Sequence, residues 1–145
     1  MSLFSAISVS ATGLSAQRTR AEVLAQNLAN ADTTRTPEGG PYRRRDVVFE
    51  TAEASPSFDS VLEEAGAGLT GVQVSDIRTD TSEAPKRYLP GHPDADKDGY
   101  VAMPRINPAE DMVDLMGAAR GYQANIAAVS AVKDMIQHSI ELFRS

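Results

Sequence analysis

The chain contains no cysteine. Disulfide staples and thiolate metal sites are therefore closed to it, and its stability has to come from packing or from assembly. Histidine is nearly as scarce. His92 and His138 are the only two, about 46 positions apart, too few convergent groups for a zinc centre or for a nucleophile with its base. No catalytic, cofactor-binding or metal-binding residue is assigned on this reading. No stretch approaches the roughly 20 continuous apolar residues of a membrane helix. Clustered positive charge, which phosphate binding uses, is also lacking. The net charge is −6, distributed as +3 over residues 1–45, −7 over 46–107 and −2 over 108–145. Neither nucleic acid nor membrane insertion is expected.

What the chain has in quantity is helical periodicity. Met112, Leu115, Ala119, Tyr122, Ile126, Val129, Lys133, Ile136, Ile140 and Phe143 recur at alternating spacings of three and four, and only Lys133 is polar. A seam at this spacing marks a helix that packs lengthwise against other helices. A weaker stripe, Leu3, Ile7, Leu14, Ala21, Leu24 and Leu28, sits at the other end. Two terminal helices follow, over residues 2–31 and 108–143. Each would extend on the order of 45 Å, too far for a small globule, so much of the apolar stripe awaits a partner.

Between the helices lie most of the prolines and glycines. Residues 32–41 read as a loop, 42–50, 71–77 and 99–103 as strands, 51–70 as a loop or short helix, and 88–99 as a long loop. Asn107-Pro108 is a helix start: the asparagine caps the first amides, and proline's missing N–H costs little at that position. The expected fold is mainly α with a small β-rich insert. Two long antiparallel terminal helices form a coiled-coil-like layer enclosing a small β-rich middle domain. The parts are an N-terminal assembly helix (1–34), a β-rich and loop domain (35–107) and a C-terminal assembly helix (108–145).

Three motifs invite chemistry, and each has a plainer reading. Asp94-x-Asp96-x-Asp98-Gly99 matches the first half of a calcium loop, but its twelfth position is Arg105, where a carboxylate would have to close the oxygen shell. An acidic turn is the better account. Arg43-Arg44-Arg45 cannot form one patch on a strand, whose side chains alternate, so pairing with the acidic middle or a neighbouring molecule is expected. Gly117-x-x-x-Gly121 allows close helix approach. The uncharged first seventeen residues lack the basic leader and continuous apolar stretch of a secretory signal. They read as a retained helix, exported by another route.

Four segments carry a family resemblance. Gln26-Asn27-Leu28-Ala29-Asn30-Ala31-Asp32-Thr33 resembles the Asn-x-Ala-Asn-x-x-Thr signature of flagellar axial rod and hook proteins. GGPYRRRDVVFE (39–50), PGHPDADKDGYVAMP (90–104) and NPAEDMVDLMGAARGYQANIAAV (107–129) narrow it to bacterial flagellar basal-body rod proteins of the proximal rod. Arg105 and Ile106 stand where that family usually has Asn and Val, and Leu89 where a polar residue is common.

The resemblance implies a structural subunit that polymerises through its terminal helices into the torque-transmitting axial shaft and export channel, with no enzymatic activity and no cofactor. Its partners would be copies of itself, sibling proximal and distal rod subunits, an export-gate junction protein and the flagellar type III export apparatus. Its place would be the rod crossing the periplasm, reached without a cleaved signal. The expected assembly surface combines the stripes with the signature: Leu3, Ile7, Leu14, Leu24, Asn27, Leu28, Asn30, Met112, Leu115, Ala119, Tyr122, Ile126, Val129, Ile136, Ile140 and Phe143. The competing reading is a non-flagellar helical adaptor that displays the acidic middle to a soluble partner.

Overall fold

Two helices frame the chain. Helix α1 spans Leu3–Ala29 and helix α2 spans Pro108–Arg144; at 27 and 37 residues they extend about 40 and 55 Å. The structure is a computed structural model that describes residues 3–52 and 70–144, with side chains through residue 142. The loop or short helix expected over 51–70 falls almost wholly outside the described residues.

Helix α2 begins where a cap and a proline coincide. The Asn107 side-chain oxygen accepts a hydrogen bond from the Ala109 amide (3.2 Å), and its carbonyl accepts from the Asp111 amide (3.0 Å). Glu110 and Asp111 place negative charge in the first turn, where the helix dipole favours it. Helix α1 closes on Asn30. Its backbone amide is shared between the Gln26 and Asn27 carbonyls (both 3.1 Å), while its side-chain amide donates to Gln26 O (2.9 Å).

The helices lie antiparallel: Gly13 faces Asn125, Gln17 faces Gly121, and Arg20 pairs with Asp114 at 3.7 Å. Glycine sets the spacing. A Cβ added at Gly13 would stand 2.8 Å from Asn125 Oδ1, and one added at Gly121 would stand 3.1 Å from the Gln17 side chain. Each polar side chain therefore seats on a glycine of the opposite helix.

Between the helices come two antiparallel ribbons. Strand β1 (Arg45–Ala52) pairs with β2 (Gly71–Thr79), with a bulge between Val48 and Phe49. Strand β3 (Lys86–Tyr88) pairs with β4 (Tyr100–Ala102). The three expected strands are present with shifted ends. The fourth, β3, falls on Lys86 and Arg87, for which no element was expected, and on Tyr88, the first residue of the expected long loop. It is three residues long, and its Tyr88 ring meets Tyr100 edge-on, with centroids 5.3 Å apart.

The acidic 94–99 segment is a turn closed on itself. Asp96 Oδ1 accepts from the amides of Asp98 (3.0 Å) and Tyr100 (2.8 Å). Asp94 takes the Thr34 hydroxyl (2.8 Å) and the Arg35 guanidinium. Gly99 turns the chain at φ +80°.

Helix α1 is the central element, with α2 on one side and the β1–β2 ribbon on another. The ribbon is fastened along it at two points. Thr12 Oγ1 accepts from the Val72 amide (3.1 Å), and Asn27 holds Arg45. From Thr12 to Asn27 the helix rises about 22 Å, and β1 from Arg45 to Ala52 spans about 23 Å. Among the described residues the buried apolar core is small: Ala16, Val23, Leu24, Val101, Ala118 and Val132.

Candidate assembly surface

The face that α2 turns to α1 is rotated by one residue from half of the expected stripe. Asp111, Ala118 and Val132 are buried, and Leu115, Gly121, Asn125, Val129 and Ile136 are half-buried. Leu115, Val129 and Ile136 belong to both sets. Met112, Ala119, Ile126 and Lys133 lie beside the seam and remain exposed. The reason is steric: Ala118 and Gly121 let α1 approach, and bulkier Met112 or Ile126 at those places would hold it off. The break in the apolar stripe at Lys133 disappears in the seam, where Val132 takes the corresponding place.

The expected glycine pair separates in the same way. Gly121 faces α1, whereas a side chain added at Gly117 would meet nothing within 4 Å. Beside Gly117 stand Met112 (55% exposed), Val113 (62%) and Met116 (54%), and further along Ile126 (45%) and Ile140 (55%). Tyr122 sits at the border, at 38%. The outer side of the first half of α2 is thus an apolar strip that also carries exposed Ala119, Ala124, Ala127 and Ala128, with Arg120 and Gln123 among them, whereas Ile140 follows Ile136 on the α1-facing side, past the end of α1.

On α1 the expected residues divide. Leu3 is exposed; Ile7, Leu14, Leu28 and Asn30 are half-buried. Leu24 and Asn27 are covered within the chain, at 5% and 0% exposure, so neither has surface left to offer a partner. Phe143 lies beyond the described side chains.

Asn27 and Asn30 do internal work instead. The Asn27 amide nitrogen donates to Arg45 O (2.8 Å), and its oxygen accepts from Arg45 N (3.0 Å) and from the Tyr42 hydroxyl (3.1 Å). The side-chain amide stands in for a neighbouring strand and starts β1 at Arg45. Asn30 Oδ1 accepts from Thr33 Oγ1 (3.2 Å), its carbonyl accepts from Thr33 N (3.1 Å), and Thr33 O accepts from Tyr42 N (3.0 Å). The signature residues therefore tie the end of α1 to the start of the ribbon.

One charged pair in this knot carries no signal at the sequence level. Arg44 Nη1 lies 2.8 Å from Asp111 Oδ1, while Arg44 Nε donates to Asp46 Oδ1 (3.0 Å). The Asp111 carboxylate is buried. Arg44 approaches it off the hydrogen-bond axis, and neither oxygen holds a well-aligned hydrogen bond. Burial raises the Asp111 pKa above the usual carboxylate value, with Arg44 opposing and Asp46 and Asp114 adding. Burial also raises Tyr42, with Arg45 opposing and Asp111 adding. The other arginines of the triplet disperse: Arg43 donates to Asp80 O (3.2 Å), and the Arg45 backbone is held by Asn27.

Comparison with known proteins bears on both ends of the chain. A family model described as "Flagella basal body rod protein" matches residues 7–35. One described as "Flagellar basal body rod FlgEFG protein C-terminal" matches residues 97–142. A relative named "Flagellar basal-body rod protein FlgC" from Borreliella burgdorferi is 40% identical over 152 residues, covering 99% of each chain. Relatives of the same name from Bacillus subtilis (40% over 150 residues, 98% of this chain and 99% of the relative) and Escherichia coli O6:H1 (40% over 144 residues, 98% of each) match as fully. The two matched ends are the regions that hold the α1 knot and the outer strip of α2, and the chain belongs to the flagellar basal-body rod protein family.

Proposed function

We propose that this chain is a structural subunit of the bacterial flagellar basal-body rod, and that it assembles with copies of itself and with other rod proteins through the outer side of α2. The observation that supports this is the strip of Met112, Val113, Met116 and Ile126, exposed along a helix whose opposite side already serves the chain's own fold. A contiguous apolar surface of this length is a docking face in search of a partner. Around a tube the same contact recurs at every subunit, so a modest gain per copy multiplies into a stiff shaft suited to carrying torque.

Rod-family membership places the subunit in the basal body among other rod components. Passage through the type III export apparatus, retention of the N-terminal segment and a position across the periplasm belong to the same proposal. The division into two assembly helices and an outer β-rich part belongs to it as well. The adaptor reading has no comparable support, because the relatives are rod proteins along the whole chain.

Ile126→Asp tests the surface. A carboxylate buried there without a partner costs several kcal/mol per contact, whereas on the free subunit Ile126 is 45% exposed and the change is mild. The variant should fold and remain soluble, yet fail to restore motility or intact basal bodies in a deletion strain. Asp134→Ala, which removes an exposed charge from the same side of α2 and buries none, should restore both. Normal rods built from Ile126→Asp would remove this face of α2 from the assembly.

A further inference from the structure

We infer that Met112 and Met116 form a paired oxidation site, where a peroxide-class oxidant converts both thioethers to sulfoxides in the unassembled subunit and bars that subunit from the rod.

Composition directs such oxidants to methionine. The chain has no cysteine, no tryptophan and five methionines. A thiolate would react first with a peroxide; without one, the polarizable thioether is the softest nucleophile left.

Exposure then separates the methionines. Met112, Met116 and Met135 are 55%, 54% and 50% exposed, whereas Met103 is half-buried. Met112 and Met116 stand one turn apart on α2, so their side chains adjoin on one side of the helix. Exposed Val113 and Ile126 share that strip, and a side chain added at Gly117 beside them would meet nothing within 4 Å. Met135 is as open to solvent but lies nineteen positions beyond Met116, about 28 Å along the helix and past the strip.

The step balances with one oxidant. The sulfur lone pair attacks one oxygen of hydrogen peroxide, the O–O bond breaks, and the departing hydroxide takes the proton of the transferred oxygen and leaves as water. Sulfur gains an S–O bond and is oxidised by two electrons, which reduce the peroxide. A dithiol-dependent reductase reverses the change, removing the oxygen as water while two thiols form a disulfide.

The sulfoxide oxygen is a strong acceptor on a side chain that was apolar. On the free subunit water solvates it, so the fold tolerates it. Against an apolar partner it has no donor, and a polar group buried without one is penalised. Two of them one turn apart act on the same contact. This consequence rests on the docking role proposed for the strip; the reactivity does not.

Peptide mass spectrometry of the purified full-length subunit in dilute hydrogen peroxide reads the reactivity. Met112 and Met116 should oxidise several-fold faster than Met103, and equal rates overturn the site. In cells labelled after peroxide is added, sulfoxide at Met112 and Met116 should be about tenfold rarer in basal bodies than in the unassembled pool; equal fractions overturn the exclusion. Combining Met112→Gln with Met116→Gln sets an uncharged acceptor at each place and separates exclusion from simple protection inside the rod. The double variant should keep the wild-type circular dichroism and fail to restore motility in a deletion strain, while Met135→Gln restores it. Motility from the double variant, or its loss from Met135→Gln, overturns the assignment. If Ile126→Asp still fails in that strain, the docking strip stands and the oxidation site alone falls; if Ile126→Asp also builds normal rods, the docking reading itself has failed.

Discussion

Replacing Asn27 by alanine removes three hydrogen bonds at once: the donation to Arg45 O and the acceptances from Arg45 N and the Tyr42 hydroxyl. Each contributes on the order of 1 kcal/mol net, and a group left buried without a partner costs more than an exchanged one. Arg45 lies on an otherwise exposed segment, so water recovers part of the loss. The expected destabilisation is about 3 kcal/mol, a large share of the 5–15 kcal/mol typical of a domain. Urea unfolding followed by far-ultraviolet circular dichroism reads it directly, since the two helices supply most of the signal.

Asn27→Asp sharpens the test. It keeps both acceptances but loses the donor and sets a carboxylate against the Arg45 carbonyl. Its penalty should therefore be comparable at neutral pH and should shrink in acid, where the protonated carboxyl can donate again. A loss below about 1 kcal/mol in Asn27→Ala, with the denaturant slope unchanged, would mean that the ribbon is held by its apolar face alone and that the splint is incidental.

Gly117→Ala should stabilise the isolated subunit by up to about 1 kcal/mol through helix propensity, because its Cβ would meet nothing. In complementation the same variant should reduce motility, and full motility would show that no partner approaches α2 closely at that point. Gly99→Ala combines a φ of +80° with a Cβ 2.9 Å from the Tyr88 ring. It should cost about 1–2 kcal/mol in urea unfolding; no loss would mean that the β3–β4 turn relaxes freely. Asp111 sets a pH dependence of known sign. Its folded pKa is raised, so its contribution to stability is fully present below the unfolded value and is lost as pH rises through the folded value. Asp80, lowered by its side-chain and backbone bonds to Ser82, works in the opposite direction. The difference between wild type and Asp111→Asn, measured by urea unfolding over a pH series, therefore isolates the effect; parallel curves would contradict it.

The helix ends were legible because their signals are local. Asn107 and Pro108 act on their own turn, and the charge-free run before Arg18 has the composition of a helix awaiting support. The angular position of the seam was not legible. Hydropathy ranks Met112 and Ile126 above Ala118, Gly121 and Asn125, but closeness between two helices depends on what a residue leaves out. Gly13, Ala16 and Gly121 contribute by being small. The Asn27 signature was visible as a pattern and its task was not, since an amide that imitates a strand edge looks from the sequence like any exposed asparagine. Strand β3 had no signal of its own: Lys86-Arg87-Tyr88 becomes a strand only because Tyr100 and its neighbours lie opposite. Arg44 was expected to find an acidic partner, and it found Asp46 nearby. Its buried partner, Asp111, lies in the other helix, 67 positions along the chain, where no local pattern reaches.

The two fasteners along α1 act as the ends of a vernier, two scales of different pitch read against each other. One added residue in α1 between Thr12 and Asn27 would carry Thr12 about 100° around the helix axis, away from Val72. One added residue in β1 would turn every later side chain to the other face. The smallest joint change that nearly preserves both marks adds four residues to the helix, about 6 Å and 40° of excess rotation, and two to each strand, about 6.6 Å. The stretch from Thr12 to Asn27 is thus free to drift in sequence while its length stays quantised. Natural variation in chain length should collect outside the span that these two side chains measure.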